Sequence, residues 1–416
     1  MISMQVNVSM HNGTLHFGFE TEDDEPAQRK SGMANMSCYV KGPDHWELSD
    51  IHPDHVALSA LLMVRPWFNR SLKMSLGVSQ KFADACQKMK ISVSPVDPQI
   101  SPYESESAEY IGLAFSGGAD STAALSVLPP TTIPVFLDRP DKGGSLYSKD
   151  AALHSVAKLS QLGYDCHIVE CDLESIREPI GFPTDLSNGV PAILLAKKLN
   201  LFGIAYGTVL ESLYGLGRLK YKEYTETSHY KNWWNVFSES GLPISFPTGG
   251  ISEVGTEIIC SKSSIGALAQ SCIRGSINQP CNFCWKCFRK TTLKNALKIE
   301  PSNVDLVSRL LESGEVKKKL SQLPISHENV LIFAFSRLDI GPYPKGFVQR
   351  FDHEDSLTYL CHWYYQSRAL IDIRIRDFVE NKIISYIGVN GSQEELKIQS
   401  WDNSQRINRL ESLSLD

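Results

Sequence analysis

The sequence of 416 residues predicts an α/β fold: a doubly wound parallel sheet over about residues 109–300, an N-terminal α+β extension over 1–105 and a mostly helical C-terminal region over 301–416. Three observations carry this expectation. Short apolar runs alternate with stretches of helical spacing between residues 110 and 206. Such alternation argues for parallel strands covered by helices on both faces. A polar stretch, Ser94–Ala108, holds Pro95, Pro98 and Pro102 and reads as a linker before that block. Beyond residue 300 the apolar positions fall mostly at helical spacing.

Taken in order, Gln5–Ser9 and Leu15–Phe19 alternate like strands. His55–Trp67 reads as a helix entered through Pro53-Asp54. Tyr110–Phe115 is a short apolar run, hence a buried strand, followed by a glycine turn and the helix Ser121–Val127. Ile133–Leu137 is the next strand. Lys149–Leu162 is a helix that stops at Gly163. Cys166–Cys171 is a strand, Val190–Leu199 a helix and Gly203–Tyr206 a fourth strand of this block. Ser356–Lys382 is the longest helical candidate of the last region, with Tyr359, Trp363, Tyr364, Tyr365, Arg368, Arg374 and Arg376 on a packed element with a solvated basic face. Ile371, Ile373 and Ile375 alternate there with Asp372, Arg374 and Arg376, a period of two that speaks against one unbroken helix. The polar tail after Asn390 is expected to fray. There are no internal repeats.

Composition excludes several classes. The chain is 42% hydrophobic and 21% charged, as in a soluble globular protein, with net charge −6 and pI near 6.0. This argues against a duplex nucleic acid partner, which calls for a basic surface. The N-terminus has no basic start followed by an apolar run, so it does not read as a secretory signal. The longest apolar stretch, around Val56–Val64, is too short to span a bilayer. Ten cysteines are too few for a disulfide scaffold, and a reduced, cytoplasmic protein is expected. Cys38, Cys86, Cys166, Cys171, Cys260 and Cys361 are scattered and read as buried small hydrophobes.

Ser116-Gly117-Gly118-Ala119-Asp120-Ser121 lies between a strand and a helix. The first amides of a helix lack intrahelical partners and carry partial positive charge, which suits a phosphate. Gly117 and Gly118 permit close backbone approach and positive φ. Ser116 and Ser121 can donate hydroxyl hydrogen bonds, and Asp120 can cap the helix or help hold Mg²⁺. No Gly-Lys-Ser/Thr closes the loop, so it is not a Walker loop, and adjacent glycines exclude the dinucleotide fingerprint.

Cys272, Cys281, Cys284 and Cys287 form a second constellation, C-x8-C-x2-C-x2-C. Four thiolates make a closed tetrahedral shell of the kind that holds structural Zn²⁺. An iron–sulfur cluster would use the same ligands. Lys286, Arg289 and Lys290 are expected to offset the thiolate charge; the alternative is that they face a substrate. Among other residues, His52 and His55 flank a helix-opening Pro53 and do not read as a metal pair. Trp233-Trp234 read as core packing, with stacking on a purine-like ring as the alternative. Glu211 reads either as a surface group or as one that positions Mg²⁺ or an amine. Lys142 reads as a phosphate partner or a solvated loop lysine.

Ser-Gly-Gly-x-Asp-Ser after a strand resembles the pyrophosphate-loop motif of the N-type ATP pyrophosphatases. That resemblance implies an adenine nucleotide alpha hydrolase-like, Rossmann-like fold. It implies that Ser116, Gly117, Gly118, Asp120, Ser121 and Thr122 bind the departing β,γ-pyrophosphate of ATP, with Ser116, Asp120 and Ser121 carrying the chemistry. Leu137-Asp138-Arg139 and Tyr206-Gly207-Thr208 would shape the adenosine pocket. With the four cysteines added, the chain resembles QueC-type 7-cyano-7-deazaguanine synthases. Those enzymes use ATP and ammonia to convert a carboxylate into an amide and then a nitrile, and carry structural zinc. Val135-Phe136-Leu137-Asp138, Gly189-Val190-Pro191 and Ser271-Cys272 also match, and the resemblance covers roughly residues 110–295.

There are departures. Ala192-Ile193 stands where the family has Arg-Asn. No Tyr-Pro-Asp-Cys string occurs in Glu211–Ser228, and a lysine expected before the first metal cysteine is replaced near Gly255. The expected function is therefore adenylation of a carboxylate, on a small molecule or a protein, for attack by ammonia or an amine. The expected cofactors are ATP, Mg²⁺ and Zn²⁺, and a homodimer is compatible with the sequence. QueC-like proteins with added domains occur in antiphage defence, which brings in a protein substrate. A tRNA sulfur-transfer enzyme and a non-catalytic ATP-binding scaffold are the alternatives.

Overall fold

A computed structural model describes residues 2–21, 32–140, 147–300, 303–338, 347, 350–351 and 356–411. The chain begins with a hairpin of β1 (Met4–His11) and β2 (Thr14–Thr21). Asn12 and Gly13 both adopt positive φ, the pair of conformations that a two-residue turn between twisted strands requires. There follow β3 (Gly32–Met33), β4 (Ser37–Lys41), α1 (Pro53–Val64), β5 (Ser71–Val78), α2 (Gln80–Lys88) and β6 (Ser92–Val96). The expected linker thus gives its first residues, Ser94–Val96, to a strand.

The second block contributes β7 (Tyr110–Phe115), α3 (Ala119–Val127), β8 (Ile133–Asp138), α4 (Asp150–Gln161), β9 (His167–Cys171), β10 (Arg177–Glu178), α5 (Val190–Leu195) and β11 (Leu201–Tyr206). After these come α6 (Leu210–Leu213), α7 (Ser228–Glu239), β12 (Ile244–Ser245), α8 (Glu253–Lys262) and α9 (Trp285–Leu297). The helix expected over Val190–Leu199 ends at Leu195, before the turns that lead into β11.

The result is a mixed α/β protein built on one ten-stranded sheet in the order β12-β11-β7-β8-β9-β4-β2-β1-β5-β6. Six of its nine neighbouring pairs are parallel. The five strands that the second block gives to this sheet are parallel throughout, and in their own order along the chain they run 5-4-1-2-3. This arrangement is compatible with a Rossmann-like sheet. The direction of winding reverses at β7, whose neighbours are β8 on one side and β11 on the other.

The strand patterns explain the layering. β7, β8 and β11 are buried along nearly their whole length, as strands covered on both faces must be. β2 instead alternates, with Leu15, Phe17 and Phe19 inward. β4 pairs antiparallel with β9, Val40 opposite Cys171, so the sheet continues from the first block into the second. No helix among the described residues is long and apolar enough to cross a membrane. The run Val56–Val64 is instead buried within α1.

The C-terminal region departs from expectation in two places. Ser356–Lys382 is not one helix. It forms short 3-10 turns at Thr358–Cys361 and Tyr365–Leu370, and the α-helix begins only at Arg376 and runs to Ile387. Its arginines are not a solvated face either. Arg374 stacks 3.7 Å over the Phe202 ring and donates to the carbonyls of Phe202 (2.9 Å) and Ser105 (2.8 Å). The tail does not simply fray: helices Ser392–Gln399 and Ser404–Glu411 follow Asn390, and Ile398 and Trp401 are buried.

Arg374→Ala removes three side-chain hydrogen bonds, one of them to Asp372, and a cation–π contact, and should lower stability by about 1–2 kcal/mol. A solvated arginine would change it by less than about 0.5 kcal/mol. Urea unfolding of the two proteins distinguishes these outcomes.

Candidate nucleotide-binding loop and metal centre

β7 delivers Ser116 at the carboxyl edge of the sheet, at the strand where the winding reverses. Ligands of open α/β sheets bind at such a point. The chain then turns through Gly117, at φ +73°, into Gly118, which caps α3 without a side-chain hydrogen bond. A Cβ on Gly117 would stand 3.1 Å from the Ala152 Cα of α4. The Gly117 carbonyl accepts from the Gln270 amide at 2.7 Å and is thereby satisfied. Among the described residues, the amides of Ala119, Asp120 and Ser121 donate to no protein acceptor. They are the orphan donors of a helix start.

The two serines brace the loop. Ser121 Oγ accepts from the Ser116 amide (3.2 Å), donates to the Gly118 carbonyl (3.1 Å) and lies 3.0 Å from Ser116 Oγ. Asp120 accepts from Thr256 Oγ1 at 3.0 Å and stays 36% exposed. Thr122 faces the interior, and its hydroxyl has no partner among the described residues. Gly207, just beyond β11, abuts the first turn of α3: a Cβ there would lie 2.8 Å from Ser121 Cα and 2.9 Å from its nitrogen. The chain leaving β11 can lie this close to the start of α3 only because this residue has no side chain.

Leu137 and Asp138 lie at the end of β8. Leu137 is buried, and Asp138 is paired with Lys149 at 3.0 Å. Arg139 pairs with Glu174 at 2.8 Å and lies over the rings of Tyr147 and Phe182. Lys142 lies outside the described residues.

The four cysteines converge. Their sulfurs all lie within 4.8 Å of one another, and those of Cys281 and Cys287 are 3.7 Å apart. A tetrahedron with Zn–S bonds of about 2.3 Å places its sulfurs about 3.8 Å apart. The cluster can therefore hold a metal ion such as zinc. Asn278 and Asn282, both at positive φ, turn the chain around it, and Cys284 caps α9 by accepting from the Cys287 amide. Hydrogen bonding from the Cys287 thiol pulls the Cys284 thiol down to about 5, against the effect of burial.

Arg289 and Lys290 pair with carboxylates rather than with the thiolates. Residues 286, 289 and 290 share one face of α9, as positions three and four apart do, and that face looks toward the glycine loop. Lys290 Nζ is 2.9 Å from Glu257, 3.1 Å from Glu253 and 3.9 Å from Asp120. Arg289 pairs with Glu253 at 2.6 Å. Lys286 Nζ lies 3.9 Å from where a Cβ on Gly118 would stand. For Arg289 and Lys290 the expected charge compensation is thus replaced by ion pairs with α8.

Glu253, Glu257, Thr256 and His327 carry this arrangement, and no local motif marks them in the sequence. Glu253 opens α8, is 3% exposed and also meets His327 Nδ1 at 3.1 Å. Desolvation alone would raise its pKa, but Arg289 and Lys290 hold the carboxyl well below the usual range. Glu211 is neither a surface group nor a free ligand. It is buried, accepts from the Glu253 amide and from Asn329, and burial raises its pKa. Gly255 is packed against Ile251 and Ile387, so no side chain reaches out there.

Other candidates resolve into packing. His52 caps α1, while His55 is buried against the Ser240 carbonyl and burial lowers its pKa to about 3. Trp233 is buried and Trp234 stacks on Tyr230.

Residues 232–402 match the model of a family of unknown function, DUF6395. The match covers less than half of the chain. It includes the cysteine cluster, Glu253 and His327 but not the glycine loop. No curated protein and no solved structure matches the chain.

Cys284→Ser and Cys287→Ser should each lose bound metal, measured by elemental analysis, and lower the melting temperature. Metal-free wild-type protein that is well folded would contradict the cluster's role. Glu253→Gln leaves Arg289 and Lys290 buried without a full counter-charge, and should cost about 3–5 kcal/mol at neutral pH. The folded Glu253 carboxyl titrates below its ordinary value of 4.5. The stability it contributes is therefore fully present above that pH and lost as pH falls below it. Acid unfolding curves should be shallower in the variant.

Proposed function

We propose that the chain is an ATP-dependent adenylating enzyme of the N-type ATP pyrophosphatase kind, with an adenine nucleotide alpha hydrolase-like core. The observation that carries this reading is the set of unpartnered amides at Ala119, Asp120 and Ser121. They stand at the reversal point of a parallel sheet, behind a loop held open by Gly117 and Gly207. Such donors match the oxygens of a β,γ-pyrophosphate.

In this reading the loop amides and the Ser116 hydroxyl bind the β,γ-phosphates of ATP. Leu137, Asp138 and Gly207 border the adenosine. Asp120 keeps an exposed carboxylate that fits Mg²⁺, which when bound neutralises phosphate charge. A substrate carboxylate, on a small molecule or a protein, attacks the α-phosphorus, and its oxygen replaces the bridging oxygen of the departing pyrophosphate. Loop amides stabilise the charge that develops on that leaving group. Ammonia or an amine then displaces AMP from the acyl adenylate. The chain's part is positioning and charge stabilisation, with no protein nucleophile. The closed four-thiolate shell suits structural zinc.

Sulfur transfer would require a reactive thiol at the loop. Cys260 donates to the Ala119 carbonyl at 3.4 Å, but it is buried, and burial pushes its thiol far above the ordinary range. Such a cysteine is inert.

Direct binding of ATP by calorimetry tests the reading. Gly207→Ala drives a methyl into Ser121 and should weaken ATP at least about tenfold, equal to about 1.4 kcal/mol. Asp120→Ala should abolish release of pyrophosphate from ATP. Unchanged ATP affinity in Gly207→Ala would overturn the assignment of the loop.

A further inference from the structure

We propose that Lys286 is the cation that binds the terminal phosphates of the nucleotide, presented to the glycine loop by the cysteine cluster. The inference rests on the reading of the loop given above and adds a residue that the loop motif does not contain.

The three basic residues at the start of α9 differ in what they meet. Arg289 is tied to Glu253, and Lys290 to Glu253 and Glu257. The Lys286 ammonium, unlike the other two, forms no salt bridge and no hydrogen bond among the described residues. Its ammonium nevertheless stands beside Gly118, at the mouth of the loop, rather than in free solvent. An ammonium held in a partly buried place with carboxylates nearby but none in contact gains from an anion that binds it directly. The loop amides next to it are themselves unpartnered donors.

Local charge makes the same point. Asp120, Glu253 and Glu257 bring three negative charges toward this region, and Arg289 and Lys290 return two. Without Lys286 the surroundings of the loop would be net negative and would repel a polyphosphate. With it they balance. The position is also fixed rather than left to a flexible stem. Lys286 lies between Cys284 and Cys287, so a metal held by the cysteines would fix its backbone on both sides. The ligand class that fits is a pyrophosphate, free or as the end of a nucleoside triphosphate.

The test uses the full chain, with inorganic pyrophosphate and ATP as probes in calorimetry. Lys286→Met and Lys286→Gln should each bind both probes at least tenfold more weakly than wild type. Lys286→Arg should stay within a few-fold. Metal content and melting temperature should be unchanged in all three. Lys317→Ala, which removes an exposed lysine paired with Glu312, should leave both affinities intact. In wild-type protein, pyrophosphate should protect Lys286 from an amine-reactive ester, read by peptide mass mapping. This second readout does not depend on any variant folding. If wild type binds pyrophosphate while Lys286→Met binds equally well and Lys286 is not protected, the assignment of Lys286 is wrong and the loop reading stands. If wild type binds neither probe, the loop reading itself fails.

Discussion

The carboxylate of Glu253 is the point on which the candidate site depends. It is buried at the first turn of α8, and cations from α9 and the imidazole of His327 converge on it. A buried charge is tolerated only when its partners are close and complete. Glu253 therefore fixes where α9 lies against α8, and α8 in turn packs on α3 behind the glycine loop. Glu211 extends the same constraint by holding the Glu253 amide and Asn329. The segment His327–Asn329 thus fastens the C-terminal region to the centre of the molecule. Glu328, between them, reaches the other way to Arg406 and Asn403 near the end of the chain.

Two short stretches far apart in sequence are brought together by this wiring. The glycine loop follows β7, and the cysteines precede and cap α9. In sequence they read as separate devices, one for phosphate and one for metal. In the fold the helix that begins at the cysteine cluster points its basic face at the loop. The cysteine cluster is then placed to brace α9 against the glycine loop as well as to fasten its own turn.

What could be read from the sequence follows from how local each signal is. β7, β8 and β11 were visible because strands buried on both faces are uninterrupted apolar runs. The loop and the C-x8-C-x2-C-x2-C spacing were visible because each lies within a few residues. The role of Arg289 and Lys290 was not, because their partners Glu253 and Glu257 sit more than thirty residues earlier with no motif of their own. Arg374 failed for a related reason: its acceptors, the carbonyls of Phe202 and Ser105, are distant in sequence, so it looked like a solvated arginine. The tail after Asn390 reads as one that frays because two buried apolar residues, Ile398 and Trp401, do not make a periodic face.

The pairing of β4 with β9 has a consequence for the autonomy of the parts. The parallel half of the sheet does not end in a natural border on that side; its last strand is finished by a strand from the first block. Cutting the chain near residue 105 would strip β4 away and leave the backbone donors and acceptors of β9 open along a raw edge. Such an edge recruits other strands. The first block is in this sense a built-in seal, and a minimal unit trimmed to the glycine loop and the cysteines would be prone to self-association.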